Sequence, residues 1–237
     1  MSTLVVVPTY NERDNLPILV REIMRLDGFD VLVVDDDSPD GTGEVANSLC
    51  VEFPGRVDVM HRRGPKGYGR SYVDAFGRAT RGSHEFVCQM DADLSHDPKC
   101  LPELVRAGVD GLDVVVGSRY VNGISVVNWP LRRLALSTFA NAYVRSITRL
   151  PVRDCTSGYR CWRRTALEAI SVDTIRSDGY SFQVEMLFKA QRRGLRIGEV
   201  PIVFVERRVG SSKMSRRVML ESAVMPWRLV VRSVFRR

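Results

Sequence analysis

The sequence predicts an α/β fold, a mostly parallel sheet with helices on both faces. Over the first 120 residues, short β-branched apolar runs alternate with longer amphipathic stretches, the pattern of strand–helix–strand units. The segments after those runs are polar and acidic, which puts them on the sheet edge where parallel folds bind ligands. At 237 residues, 44% apolar and 27% charged, the chain can bury a substantial core and reads as globular rather than disordered.

Residues 5–7 form the first strand and lead into PTYNERDN (8–15), with a helical pattern over 14–26. Residues 31–34 form the second, followed by DDDSPDGT (35–42) and a helix over 41–53. The third, 57–60, runs into RRGPKGYGR (62–70) and a helix over 70–81. The fourth, 86–90, ends in DADLSHDP, with a helix over 98–108, and the fifth, 114–116, ends in GSRY (117–120). Leu136, Phe139, Ala140, Tyr143, Val144 and Ile147 recur at helical spacing, which predicts an amphipathic helix over 130–149, by default with that stripe packed on the sheet and alternatively as a surface helix touching lipid. A helix over 180–193 and a strand over 195–205 follow, and Pro226 should break or kink any helix in 216–237.

Five cysteines are scattered without a Cys-x-x-Cys pair, which suits free thiols and a reducing compartment. Residues 1–12 hold only a four-residue apolar run, so no secretory leader is expected. The net charge of +7 lies entirely at the C-terminal end. Residues 206–237 carry nine Lys/Arg against two Glu, while the first 205 residues carry 26 groups of each sign. Such a tail can meet nucleic acid, an anionic membrane or a phosphorylated substrate. No uncharged apolar stretch approaches the ~20 residues that span a bilayer.

The stretch FVCQMDADLSHDP (86–98) runs from an apolar strand into Asp91, Asp93 and Asp97. An ordinary turn is one reading, and a cation site is the other, because Asp-x-Asp puts two hard oxygen ligands within reach of one divalent ion. Gly-x-x-x-x-Gly-Lys-Ser/Thr is absent, and so is Gly-x-Gly-x-x-Gly after the first strand. The acidic ends of the first two strands suit a nucleoside's base and ribose rather than its phosphates. A metal at Asp91 and Asp93 would then meet the phosphate charge.

Taken together, VVVPTYNERDNL, VVDDDSPDGT, MDADLSHDP, GSRY and GEVPIVFVERRVGSSK, in that order over residues 4–215, resemble glycosyltransferase family 2. Within it they are most similar to dolichol-phosphate and polyprenol-phosphate mannose synthases. The resemblance implies a GT-A (Rossmann-like) domain over 1–215, followed by a basic amphipathic segment over 216–237. It implies transfer of mannose from GDP-mannose to a polyprenyl or dolichyl phosphate with inversion, using Mg2+ or Mn2+. Carried over by motif, Pro8, Tyr10 and Glu12 should line the nucleotide pocket, with Val34 and Asp36 beside the guanosine. Asp91, Ala92 and Asp93 should contact the sugar nucleotide. Asp91 and Asp93 are the metal ligands, with Ser95 the third candidate where many relatives carry Gln. Arg119, Arg207 and Lys213 match positions near the phosphates. Arg119 with Arg132 or Arg133 should face the acceptor phosphate, and Asp91, Asp93, Arg119 and Arg133 form the catalytic set.

Each assignment has a plainer rival. Asp35, Asp36 and Asp37 cannot all be ligands, and those beside Asp36 can cap the next helix. Tyr10 can simply pack, Arg119 can sit in a structural salt bridge, and His96 suits a loop hydrogen bond better than a metal. Residues 207–213 read as a flexible cover over the donor. Residues 216–237 read as a segment lying on anionic lipid, at the cytoplasmic face of a membrane, the rival being a closing helix of the domain with its Arg side chains in water. Either that tail suffices or a small membrane-anchoring protein recruits the enzyme. UDP-glucose is the rival donor, and a non-catalytic nucleotide-sugar-binding module on the membrane is the rival of another class. Nucleic acid is not expected as a partner, because no interleaved aromatic–basic surface is evident.

Overall fold

The computed structural model describes residues 2–206 and 216–234, with side chains from 223 to 233 in the latter stretch. Nine strands and eight helices are found among them. A seven-stranded sheet holds β1 (Thr3–Thr9), β2 (Phe29–Asp35), β3 (Val57–His61), β4 (Phe86–Gln89), β5 (Val114–Ser118), β7 (Arg160–Arg163) and β8 (Ile197–Pro201). Their order is β3-β2-β1-β4-β7-β5-β8. All strands are parallel except β7, which runs antiparallel between β4 and β5. A second, two-stranded parallel sheet pairs β6 (Val126–Val127) with β9 (Phe204–Val205).

Strands covered on both faces read as continuous apolar runs, because alternate side chains enter two different cores. On one face Leu4, Val6, Leu32 and Val34 pack with Tyr72, Phe76, Trp162 and Phe182. On the other, Val5, Val7, Val31 and Val33 pack with Leu16, Leu19, Ile23 and Leu104. Helices α1 (Leu16–Met24), α2 (Thr42–Glu52) and α4 (Leu101–Val109) cover the second face. Helices α3 (Tyr68–Ala79), α6 (Arg164–Ile170) and α7 (Gly179–Arg192) cover the first, joined there by α5 (Leu131–Thr148) and α8 (Arg216–Val234).

The expected mostly parallel, helix-flanked sheet is what forms, with four departures. First, β7 and α6 were not expected: the strand RCWR contains Arg160, which reads as exposed but is fully buried. Its guanidinium donates to the carbonyls of Gln183 (2.7 Å) and Cys155 (2.9 Å). Second, the single strand expected over 195–205 divides into β8 and β9. The first ends at Pro201, which lacks an N–H for the ladder, and the chain then enters the small sheet. Third, of the break or kink expected at Pro226, the break does not occur: α8 continues through that residue. Fourth, α5 buries Asn141, Val144 and Thr148, whereas Phe139 is 69% and Leu136 44% exposed. The expected apolar stripe is therefore turned partly outward.

Because β1 to β5 are mutually parallel, their carboxyl ends share one edge. The chain steps from β1 to β2 and β3 on one side and then crosses back through α3 to β4 on the other side of β1, a reversal that opens a crevice beyond the β1 end. No helix of the described residues is long and apolar enough to cross a membrane.

Candidate active site

Three loops meet at that edge, and each contains a non-glycine residue in the left-handed region: Asn11 (φ 62°), Asp37 (φ 56°) and Leu94 (φ 61°). Such backbone persists only where surrounding contacts over-determine it. Here the contacts are side-chain caps. The β1 loop is tied to the β2 loop by Glu12 N–H donating to Thr42 (3.0 Å) and Asn11 N–H to Ser38 (3.1 Å). Asn15 donates to the Glu12 carboxylate at 2.8 Å. Tyr10 is 38% exposed, with the Lys66 ammonium 4.5 Å from its ring centre. Pro8 is half-buried at the end of β1.

The three β2 acids have separate surroundings. Asp35 is buried and accepts from Thr9 and Ser38 (both 3.3 Å). Asp36 is buried against the Arg62 guanidinium and accepts the Gly67 N–H at 2.8 Å. Asp37 is exposed, and Lys66 donates to its carbonyl at 2.9 Å. Val34 is fully enclosed in the core, so it offers a ligand only backbone. A cleft of about 610 Å³ lies beyond Arg62, between the 62–65 loop, α3 and residues 173–178, and is not lined by Asp91 or Asp93.

Past β4, Asp91 and Asp93 flank the buried Ala92 and are themselves half-buried. Ser95, buried, donates its hydroxyl (2.5 Å) and its N–H (3.1 Å) to Asp93 Oδ1. His96 accepts the Asp91 N–H at Nδ1 (3.2 Å) and stacks on Tyr159 with ring centres 4.8 Å apart. Burial pushes the His96 pKa down, which favours the neutral ring that this acceptance needs. Asp97 accepts the Lys99 N–H at 2.9 Å and caps the next turn. Among the described residues, no group of three or more His, Cys, Asp or Glu could hold a metal. Two half-buried carboxylates fit a divalent ion that completes its oxygen shell from a bound diphosphate.

Arg119 is paired rather than open. Its Nε and Nη2 donate to the two oxygens of Asp154, both at 2.7 Å, and Nη2 also reaches Thr156 (2.9 Å). Burial opposes its charge, but Asp154 outweighs burial and raises the pKa. Tyr120, Trp129 and Phe204 surround the guanidinium at 5.4–5.6 Å. Arg133 lies 4.2 Å over the Trp129 ring and pairs with Glu206, while Arg132 is exposed on the first turn of α5. Arg207, Lys213 and the expected cover over 207–213 lie outside the described residues. Tyr68, which the sequence reading passed over, donates its hydroxyl to Asp91 Oδ1 at 3.0 Å.

A family model for glycosyl transferase family 2 matches residues 4–171. The chain is 46% identical to a polyprenol monophosphomannose synthase of Mycolicibacterium smegmatis, over 90% of this chain and 81% of that one. It is 44% identical to an undecaprenyl-phosphate mannosyltransferase of Micrococcus luteus, over 94% of this chain and 92% of that one. Among solved structures, it resembles a glucosyl-3-phosphoglycerate synthase of Mycobacterium tuberculosis in complex with Mn2+, UDP-glucose and phosphoglyceric acid. The TM-score is 0.69 at 19% identity, covering 95% of this chain and 79% of the other, a likeness of fold.

Proposed function

The chain belongs to glycosyl transferase family 2, and from that premise we propose that it transfers mannose from GDP-mannose to a polyprenyl phosphate. The products are polyprenyl-phosphate-mannose and GDP, with inversion at the anomeric carbon. The observation that carries this reading is the convergence of the Asp36 and Asp91–Asp93 loops on one crevice, in a chain 44–46% identical to polyprenyl-phosphate mannosyl enzymes over most of its length.

Tyr10, Glu12 and Asp36 hold the nucleoside side of the donor, with Pro8 shaping the pocket wall. Asp91 and Asp93 would hold Mg2+ or Mn2+, whose charge would be available to the diphosphate as it leaves. Ser95 would orient one ligand of that ion, Asp93, whose Oδ1 it holds. The acceptor needs no general base, because a phosphate monoester has a second pKa near ~6 and is largely ionised at neutral pH. Its oxygen attacks from the face opposite the departing diphosphate, which inverts the centre. The exposed Arg132 and the Trp129-stacked Arg133 are placed by this reading beside the acceptor phosphate, while Arg119 shapes that wall through Asp154. Arg207 and Lys213 remain proposed phosphate contacts. The lipid end fits the exposed aromatic face of α5 and α8, which sets the enzyme on a membrane surface at its cytoplasmic face.

Purified protein, given labelled GDP-mannose, Mn2+ and polyprenyl phosphate, should yield label that partitions into organic solvent. EDTA or Asp93→Ala should abolish that transfer while the melting temperature stays within a few degrees. Label that stays aqueous, or UDP-glucose consumed in place of GDP-mannose, would overturn the donor assignment.

A further inference from the structure

One polar chain crosses the core and ends on Asp91. Trp162 Nε1–H donates to Gln89 Oε1 at 2.7 Å, and Gln89 Nε2 to Gln183 Oε1 at 3.5 Å. Gln183 Nε2 then donates to the Tyr68 hydroxyl at 3.1 Å, and Tyr68 donates to Asp91 Oδ1 at 3.0 Å. Trp162, Gln89 and Gln183 are 0–1% exposed. An indole N–H can only donate, so its partner must turn an oxygen toward it. That fixes the Gln89 amide, which in turn fixes Gln183, and the Tyr68 oxygen receives an N–H. The Tyr68 proton is thereby directed to the carboxylate.

The backbone around this contact is fitted to it. Tyr68 is the first residue of α3, and the N–H groups on either side of it donate to acids, Gly67 to Asp36 and Gly69 to Asp178. Its ring packs edge-on against Tyr72 and Phe182. Gly158 passes so close that a Cβ there would lie 2.7 Å from the Tyr68 oxygen and 3.4 Å from Asp91 Oδ2.

We infer that Tyr68 is a positioning residue for Asp91: anchored through Gln183 and Gln89 to Trp162, it fixes the orientation of the acid that receives the metal-bound diphosphate. The inference rests on the donor reading above. It also makes the 67–68 step a link between the tips of β2 and β4, since Gly67 holds Asp36 and Tyr68 holds Asp91.

The test is calorimetric titration of Mn2+ into protein saturated with GDP, beside a titration of GDP without metal. Tyr68→Phe keeps the ring contacts and removes the hydroxyl, both the proton it gives Asp91 and the acceptor it offers Gln183. It should weaken Mn2+ binding about tenfold, leave metal-free GDP binding unchanged and melt within a few degrees of wild type. In the transfer assay it should raise the Mn2+ concentration for half-maximal rate more than it lowers the rate at saturating Mn2+. Gly158→Ala, whose Cβ would crowd the Tyr68 hydroxyl at 2.7 Å, should shift Mn2+ binding the same way. Wild-type Mn2+ affinity in both variants, with affinity lost in Asp93→Asn, would overturn the positioning role and leave the metal site standing. Undiminished Mn2+ affinity in Asp93→Asn would instead overturn the donor reading on which the inference depends.

Discussion

Arg119 gives two of its nitrogens to the two oxygens of Asp154, and both partners lie inside the protein. Removing one member of such a pair leaves an uncompensated buried charge, which costs about 3–5 kcal/mol. Arg119→Met should therefore lower the unfolding free energy in urea by about that amount. A loss under about 1 kcal/mol, with weakened use of the acceptor phosphate alone, would instead favour the direct phosphate contact expected from the sequence. The contrast with Asp91 and Asp93 shows which residues a sequence reveals. Those two stand together after an apolar run, so their joint placement needs no tertiary information. Asp154 lies 35 residues from Arg119, and Tyr68 lies 23 from Asp91, so neither pairing exists until strand order is known. Val34 shows the same limit: its neighbour Asp36 reaches the edge of the sheet, but its own side chain points into the core.

Helices α5 and α8 meet through one aromatic junction, with Trp227 Nε1–H donating to the Tyr143 hydroxyl (3.0 Å) and that hydroxyl to the Ala223 carbonyl (2.8 Å). Around it Phe139, Trp227, Val224, Val231 and Leu136 are 44–69% exposed. Exposed aromatics beside Arg228 and Arg232 form the kind of face that enters a headgroup layer, where apolar burial and attraction to anionic lipid act together. Replacing Phe139 and Trp227 by Ala together should reduce co-sedimentation with anionic phospholipid vesicles about tenfold or more, and leave labelled transfer to a short-chain, water-soluble acceptor intact. Equal sedimentation of the double variant would exclude this face as the contact. The sequence shows α5 as a helix because its apolar residues recur at helical spacing. It does not show the rotation, because the buried side is set by Asn141, which donates to the Ser137 carbonyl and accepts the Cys155 N–H. A polar residue that is satisfied inside looks in sequence like a surface one.

Over the whole molecule, the parallel sheet and its acidic edge follow from residue pattern alone, whereas the antiparallel β7 does not. A buried arginine and two glutamines sit where an apolar alternation would have marked a core strand and its neighbours. The same interior holds many weak acids in their neutral forms. Burial pushes Cys155 up to about 12, and it raises Cys88, Tyr72 and Tyr159 as well. In the unfolded chain thiols ionise near ~8.5 and phenols near ~10. Above those values the unfolded chain releases protons that the folded protein keeps, so the unfolded state holds fewer, and stability falls as pH rises. The stabilisation is complete below about pH 8.5 and is lost progressively toward pH 12. Each such group contributes a slope of up to about 1.4 kcal/mol per pH unit once its unfolded value is passed. Urea unfolding under reducing conditions at pH 7.5, 9 and 10.5 should show a steepening loss. Cys155→Ala, whatever its own packing cost, should flatten that slope by about one group's worth between pH 9 and 10.5. A stability that stays level to pH 10.5, or an unchanged slope in the variant, would mean that the interior admits hydroxide or water to these groups and that the core is looser than its packing implies.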